Sequence, residues 1–367
     1  MGKKTDKEYQ HYVPKFYLRF FSNNSRSVGT YIFKNNKYIP VASLDSIGGS
    51  KYLYGEDGRI EDWFSELEGK WNIILKKIID TNSLNINQEE YTYLLMFIFL
   101  SEARSKTNAD IMNKFINELA ITTFNIEPKN EKKYSYKENI AKFAIPNLHT
   151  IEVMPEIIPL LFDLNLVLIV NETDNQFITS DCIVNKYNQF LLEKGYKRGF
   201  GYGTCGFECI VPISPKHALC LFDNYLYDAK IKNHIITIKD SREITKLNKL
   251  FLYNSDKNIF FNESIQKTRL DVLLKYKENL LIEEDTLFKS DDGEILMKLG
   301  SRCIDKNFDL KFIKTKEKAK RIRVNNNASA PIRPYAQKLD EEKNKDKTTK
   351  NVIEKISGKK FYLQNKE

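Results

Sequence analysis

Asp181 closes the β-rich run QFITSD. A carboxylate at the end of a core strand points to the sheet edge, where open α/β sheets place ligands. Thr179 and Ser180 precede it and could hold it or bind an anion. The same three residues could instead cap the turn through side-chain to backbone hydrogen bonds. His11 stands three residues before Pro14. Its imidazole suits a metal ligand or a general base, and equally a helix-start cap or a satisfied core histidine. Glu61 and Glu68 lie seven residues apart, close to two helical turns and about 10 Å along one face. With Asp181 they could hold one or two divalent ions of the Mg²⁺ or Mn²⁺ type. Arg104 on the following helix could hold a phosphate, or it could pair with Glu68 as a buried ion pair, the commoner arrangement for such glutamates; spacing alone does not decide.

Other chemistry-bearing patterns are weaker. Cys205 and Cys209, with His217 and Cys220, enter a strand from a glycine turn, and the second pair is not a zinc knuckle, so small apolar packing is expected there. The GFGYGTCG stretch (residues 199–206) has glycines like those of a phosphate loop, but a strand follows it where a helix should begin. No G-x-S-x-G elbow occurs. Asp309-Leu310-Lys311 is the only candidate for the acidic-x-Lys pair of a restriction-type nuclease.

The elements that must position these residues follow from periodicity. HYVPKFYLRFF opens a short buried helix at Pro14, and TYIFKNNKYIPVAS reads as a hairpin around Asn35-Asn36. Ile60, Trp63, Phe64, Leu67, Trp71, Ile74 and Ile78 form one helical stripe. A second helix runs from Gln88 to about Lys106, capped by Asn87, and a third from Ala109 to about Phe124. Residues 127–139 are charged and polar, and a helix bent by Pro155 and Pro159 follows. The period then shortens. LNLVLIVN, QFITSD, FECIVPIS and ALCLFD read as the strands of one sheet. Helices return over 241–254 and from Asn262 to about Leu281, with DLKFIK as a strand candidate beyond. The stretch VIEKISGKKFYL (residues 352–363) is amphipathic enough to dock.

The formal net charge of +9 is concentrated at one end: residues 311–367 carry 17 Lys and Arg against 7 Asp and Glu, leaving the first 310 residues at −1. A basic tail invites nucleic acid, although Lys-rich tails also serve only to keep a chain solvated. Five cysteines give no even disulfide framework. The N-terminus lacks an apolar signal region, and the run Leu94–Leu100 is far below the roughly 20 residues of a membrane span. A cytoplasmic protein with no membrane segment is expected.

Three stretches in this order carry a family resemblance: HYVPKFYLRFF, QFITSD and VPISPKHAL, with EDWFSELEG and SEARS between the first two and EITKLNKLFLYNSDKNIF after them. The chain resembles the bacterial domain-of-unknown-function family numbered 4238 over about residues 10–262. His11, Pro14, Tyr17, Leu18 and Phe21 match its first motif with the right spacing. Ile183 departs from it, standing where the family commonly has proline. The resemblance implies His11, Glu61, Glu68, Arg104, Thr179, Ser180 and Asp181 as recurring polar positions, and it names no reaction. The expected fold is mixed α/β, a central mixed or antiparallel sheet flanked by helices, with a helical N-terminal half. Residues 1–282 are expected as the main domain, 283–313 as a small extension and 314–367 as a basic, largely flexible tail. Two functions stay open. One is a metal-dependent, nuclease-like hydrolase using His11, Glu68 and Asp181, with Arg104 on phosphate. The other is a non-enzymatic sensor or binding protein, for which the resemblance suggests phage defence or a mobile element as the setting.

Overall fold

The structure, a computed structural model, describes residues 8–343 apart from 56, 124–142, 144, 279–280, 283–285, 290–294 and 299–301. The segments 127–139 and 352–363 singled out above lie outside the described residues. β1 (Tyr9–His11) leads through Pro14 into α1 (Lys15–Arg19). β2 (Ser27–Ile32) and β3 (Lys37–Ser43) form the expected hairpin, its turn closed by Asn36 in the left-handed region at φ 50°. β4 (Gly49–Lys51) pairs back on β1, setting His11 opposite Gly49.

α2 (Arg59–Thr81) buries Phe64, Leu67, Trp71, Ile74, Leu75 and Ile78 on one stripe. α3 (Gln88–Ala103) starts with a reciprocal cap. Asn87 Oδ1 accepts the Glu90 N–H at 2.8 Å, and Glu90 Oε2 accepts the Asn87 N–H at 2.9 Å. All residues from Tyr93 to Leu100 are buried, which accounts for the apolar run: this helix is covered on every side. Each such fully buried side chain contributes about 1.5–3 kcal/mol. α4 (Lys106–Thr123) follows after Arg104 and Ser105, and α5 (Leu148–Glu152), α6 (Met154–Ile157) and a 3₁₀ turn at 158–161 carry the broken helix around Pro155 and Pro159.

β5 (Asn165–Asn171), β6 (Thr179–Ser180), β7 (Asn185–Tyr187), α7 (Gln189–Glu193), β8 (Glu208–Ser214), β9 (His217–Phe222), β10 (Tyr227–Ala229) and β11 (Ile235–Ile238) follow. The central sheet has the order β11-β5-β9-β8-β7, parallel only between β11 and β5. Its side chains alternate between two cores. Leu166, Leu168, Val211, Leu219 and Leu221 face α1, α2 and α3. Val167, Ile169, Ile210, Ala218 and Phe222 face α7 and the later helices. Both faces are covered, so these strands read as unbroken apolar runs.

α8 (Ser241–Asn254), β12 (Asn258–Phe261) and α9 (Lys267–Leu274) complete the body. Two sequence-based assignments change here. β6 is not in the central sheet: it is the two-residue edge of a second, antiparallel sheet, β3-β2-β12-β6. The helix expected from Asn262 begins only at Lys267, because Asn262 Oδ1 accepts both the N–H (2.9 Å) and the hydroxyl of Ser264 (2.5 Å) and holds a turn there. β13 (Leu281–Ile282), β14 (Thr286–Lys289), β15 (Ile295–Lys298) and β16 (Arg302–Cys303) pair as a hairpin nested in a hairpin, β14 with β15 inside β13 with β16.

The described part of the basic segment, up to residue 343, packs onto the body. β17 (Ile313–Thr315) pairs with β10, α10 (Glu317–Lys320) buries Ala319, and α11 (Pro334–Lys343) buries Ala336. The anchor is Arg333, 2 % exposed. Its guanidinium meets the Asp163 carboxylate at 2.9 and 3.1 Å and donates to the carbonyls of Tyr202 (2.8 Å) and Thr204 (3.0 Å).

Candidate functional site

The three stretches that carry the resemblance meet at one hydroxyl. α1 directs Tyr17 into the interior, fully buried. Its phenol lies 2.6 Å from Thr179 Oγ1 and donates to the Pro212 carbonyl at 2.5 Å. Burial pushes its pKa far above the ordinary tyrosine value, so it acts only as a neutral donor and acceptor. Thr179 is thereby committed to joining β6 to β8 across the sheet boundary.

Arg104 is the second junction. It follows the last turn of α3 with 1 % exposure. Its Nη1 donates to Glu68 Oε1 at 2.7 Å, Nη2 to the His11 carbonyl at 2.5 Å and Nε to Tyr54 Oη at 3.0 Å. The guanidinium lies 4.0 Å from the Phe64 ring centre, a cation–π contact in a dry site. Burial works against its charge, but Tyr54 and Glu68 outweigh that and hold its pKa above the usual arginine value. The ion pair is the arrangement present, between a buried guanidinium and a carboxylate 24 % exposed, and each nitrogen of the fork has a partner inside the fold.

His11 contributes its backbone to that junction. Its ring Nε2 faces the Leu44 carbonyl at 3.2 Å. Burial, reinforced by the charge of Lys15, pulls its pKa down to about 4. The imidazole is therefore neutral at pH 7 and donates through Nε2. Glu61 sits in the first turn of α2, and its charge is felt at the Tyr54 phenol.

Asp181 is 4 % exposed. Its carboxylate accepts three consecutive backbone N–H groups, from Asp256 at 2.9 Å, Lys257 at 2.6 Å and Asn258 at 3.1 Å. These are the turn between α8 and β12. Ser180 Oγ accepts the Cys182 N–H at 3.1 Å and donates to the Cys182 carbonyl at 2.9 Å. The strand-end trio is thus bonded into turns of its own and neighbouring segments.

The expected metal set of Glu61, Glu68 and Asp181 is not brought together. Among the described residues, no three His, Cys, Asp or Glu side chains gather where they could hold a metal ion. Cys209 and Cys220 fall on opposite faces of the central sheet and pack in different cores, while His217 bonds Ser214 at 2.8 Å and Asn82 at 2.6 Å. The glycine-rich connection is clamped from outside: Pro331 O accepts the Cys205 N–H at 2.8 Å, and Gly203 O accepts the Arg333 N–H at 2.8 Å. Gly206 sits at φ +72° with no room for a Cβ beside Phe190 and Asn188, so its glycine is required by packing. Asp309 is a partner of Lys246 at 3.2 Å, and the Lys311 N–H bonds Glu243 at 2.7 Å, outside any strand.

What sequence reasoning did not find is a cavity of about 300 Å³ at the elbow between α3 and α4. The SEARS segment lies between it and the frame: Ser101, Glu102 and Ser105 line the cavity, while Arg104 holds the frame. Across from them stand Cys182, Ile183 and Lys186 from the turn after Asp181. Glu102 Oε1 pairs with Lys186 at 2.6 Å, and its Oε2 accepts from the Tyr202 hydroxyl. Ser105 Oγ accepts the Asn108 N–H at 3.1 Å and starts α4. Ser101 is 2 % exposed, and its hydroxyl is buried without a hydrogen-bond partner. A buried hydroxyl left so costs about 1–3 kcal/mol. The signal available in the sequence was the cluster of two serines and a glutamate at a helix end. Its partners come from about 80 and 150 residues further along the chain, which no spacing reveals.

A buried polar frame, tying helices to two sheets and flanked by a small polar cavity, defines this as a mixed α/β protein. Comparison with known families is specific: the family described as "Protein of unknown function (DUF4238)" matches over residues 9–264. The chain belongs to that family, whose match spans the frame and the cavity elbow. No curated protein and no solved structure matches the chain. Among the described residues, no helix is long and apolar enough to cross a membrane.

Proposed function

We propose that the chain is a non-enzymatic binding protein, with His11, Glu68, Arg104, Thr179, Ser180 and Asp181 as its structural frame and the cavity at the α3–α4 elbow as its ligand site. The observation that carries this reading is the bonding of Asp181, whose carboxylate is spent on three backbone N–H groups. A hydrolase needs its carboxylates turned toward substrate or metal. Here the carboxylate and the guanidinium point into the protein. The cavity supports binding in a different way: it combines an ion pair already closed on itself with a buried hydroxyl that lacks a partner, beside apolar walls from Ile111, Ile183 and Phe200. About 300 Å³ is the lower end of the range for small-ligand sites.

The test has two arms. Thermal-shift screening of the full chain against a metabolite library is expected to give stabilising ligands whose effect disappears in Met112→Trp, a substitution that fills the cavity. Cleavage of pooled DNA or RNA with Mg²⁺ or Mn²⁺, lost in a folded Asp181→Asn variant, would overturn the reading in favour of the hydrolase.

A further inference from the structure

A second and larger concavity shares no lining residue with the elbow cavity. It encloses about 630 Å³ between the loop after β5, the outer side of α8 and helix α9. Its chemistry is distinctive. Four side-chain amides line it, from Asn175, Gln176, Asn248 and Gln266, together with the hydroxyls of Thr245, Ser264 and Thr268. The floor is apolar, supplied by Ile178, Ile265, Leu270 and Leu273, and Tyr276, 44 % exposed, stands at the rim.

Charge is sparse on this surface, although Lys249 Nζ lies 3.4 Å from the centre of the Tyr276 ring and covers one of its faces. Arg269 is the one lining cation and Asp174 the one lining anion. The Arg269 guanidinium is already turned to the Asp174 carbonyl and Asn175 Oδ1, both at 3.2 Å. Several amides are fixed in place: Asn248 accepts the Ile178 N–H at 3.0 Å and donates to the Gln176 carbonyl at 2.8 Å. Asn175 Nδ2 donates to the Ser241 carbonyl at 3.1 Å and to Thr245 Oγ1 at 3.3 Å. Gln176 donates to Ser264 Oγ at 2.9 Å, but its amide oxygen is buried and accepts nothing. That oxygen is sealed from solvent, so a ligand hydroxyl reaches it only once the Gln176 side chain turns toward the groove.

An amide both donates and accepts, as does an alcohol. A preformed row of amides and hydroxyls over an apolar floor, with one exposed tyrosine, therefore matches a ligand with many hydroxyls and C–H faces. We propose that this groove binds an uncharged polyhydroxylated ligand, a short neutral saccharide. The volume lies well inside the range for small-ligand sites.

Saturation-transfer NMR on the full chain tests this, with maltose, cellobiose, lactose and chitobiose as probes. Gln266 and Tyr276 are outward-facing, so Gln266→Ala and Tyr276→Ala are expected to keep the wild-type melting temperature. At least one disaccharide should show transfer from the protein, with binding weakened about fivefold or more in each variant, the loss of roughly one hydrogen bond or ring contact. Absence of transfer from all four sugars overturns the proposal, as does transfer unchanged in both variants. So does binding confined to an anionic sugar such as sialyllactose or to a neutral tripeptide. Met112→Trp should leave saccharide binding intact, which separates this site from the elbow cavity.

Discussion

Replacing Asp181 with asparagine separates a structural carboxylate from a catalytic one. The substitution is isosteric, so it opens no cavity. In the wild type the two carboxylate oxygens accept from three backbone donors at 2.9, 2.6 and 3.1 Å. Asparagine retains one acceptor oxygen, which can keep the bond from Asp256. Its NH₂ group then faces the N–H groups of Lys257 and Asn258, donor against donor. Hydrogen bonds to a charged acceptor are worth about 1.5–3 kcal/mol each, and a donor stranded in the interior costs about 1–3 kcal/mol. The donors are only partly shielded, so two lost bonds should cost about 3–4 kcal/mol. Asp181→Ala should cost about 1 kcal/mol more, because the third bond goes too.

The assay is urea denaturation, read as a shift of midpoint at constant slope. Both variants should unfold at clearly lower urea, with asparagine close to alanine. A carboxylate held for a metal or a reacting water would behave otherwise: asparagine would keep the stability and lose the function. An Asp181→Asn protein with the wild-type midpoint would refute the reasoning, and with it the reading of the whole frame.

The other predictions rest on the same kind of accounting. Arg104→Lys should destabilise by about 3–5 kcal/mol, since an ammonium cannot serve Glu68, Tyr54 and the His11 carbonyl together; a melting temperature near that of the wild type would contradict this. Burial pushes the Glu208 carboxyl up to about 7, while Gln189 donates its N–H to Oε1 at 2.9 Å. The folded state therefore binds this proton more tightly than the unfolded state, and stability is lost as pH rises from about 4.5 through about 7, by up to about 3 kcal/mol. Glu208→Gln should remove that slope, giving a variant relatively more stable at pH 8 than at pH 5 when the urea midpoints of both proteins are compared. Arg333→Ala should strip the donors from Asp163 and from the carbonyls of Tyr202 and Thr204. Limited proteolysis should then cut within 325–343 well before the body, and equal cutting in wild type and variant would show that this anchor is not needed.

Much of the fold was legible because it rests on local patterns. The α2 stripe, the Asn87 cap, the Asn36 turn and three of the five strands of the central sheet, β5, β8 and β9, follow from periodicity and turn chemistry; the short β7 and β11 do not. What escaped depends on long-range pairing. QFITSD has the composition of a central strand, yet β12, some 80 residues later, claims it for the second sheet. The helix expected from Asn262 was shortened by a side-chain turn at Ser264 that propensity does not register. Arg333 lies in a stretch rich in Asn and Pro that reads as a breaker, and only its burial against Asp163 reveals it as an anchor. Tyr17 reads as part of a short buried helix and Tyr54 carries no signal in the sequence, yet their hydroxyls hold the frame together.

The polar residues themselves were legible as a set, whereas their roles were not, and the reason is physical. A carboxylate, a guanidinium and an imidazole have the same identity whether their hydrogen-bonding capacity faces a ligand or the protein's own backbone. Spacing along a helix brings Glu61 and Glu68 to one face but says nothing about which donors complete their shells. Only a full accounting of donors and acceptors separates the cases. For Asp181, Arg104 and Thr179 that accounting closes within the fold. It stays open at several buried side-chain atoms, Asn147 Oδ1, Glu208 Oε2 and Thr315 Oγ1 among them; of these atoms the Ser101 hydroxyl borders the elbow cavity and the Gln176 amide oxygen the amide-lined groove. Bordering a cavity is what sets Ser101 and Gln176 apart from the other open atoms, and it is why the proposed ligands are placed beside them.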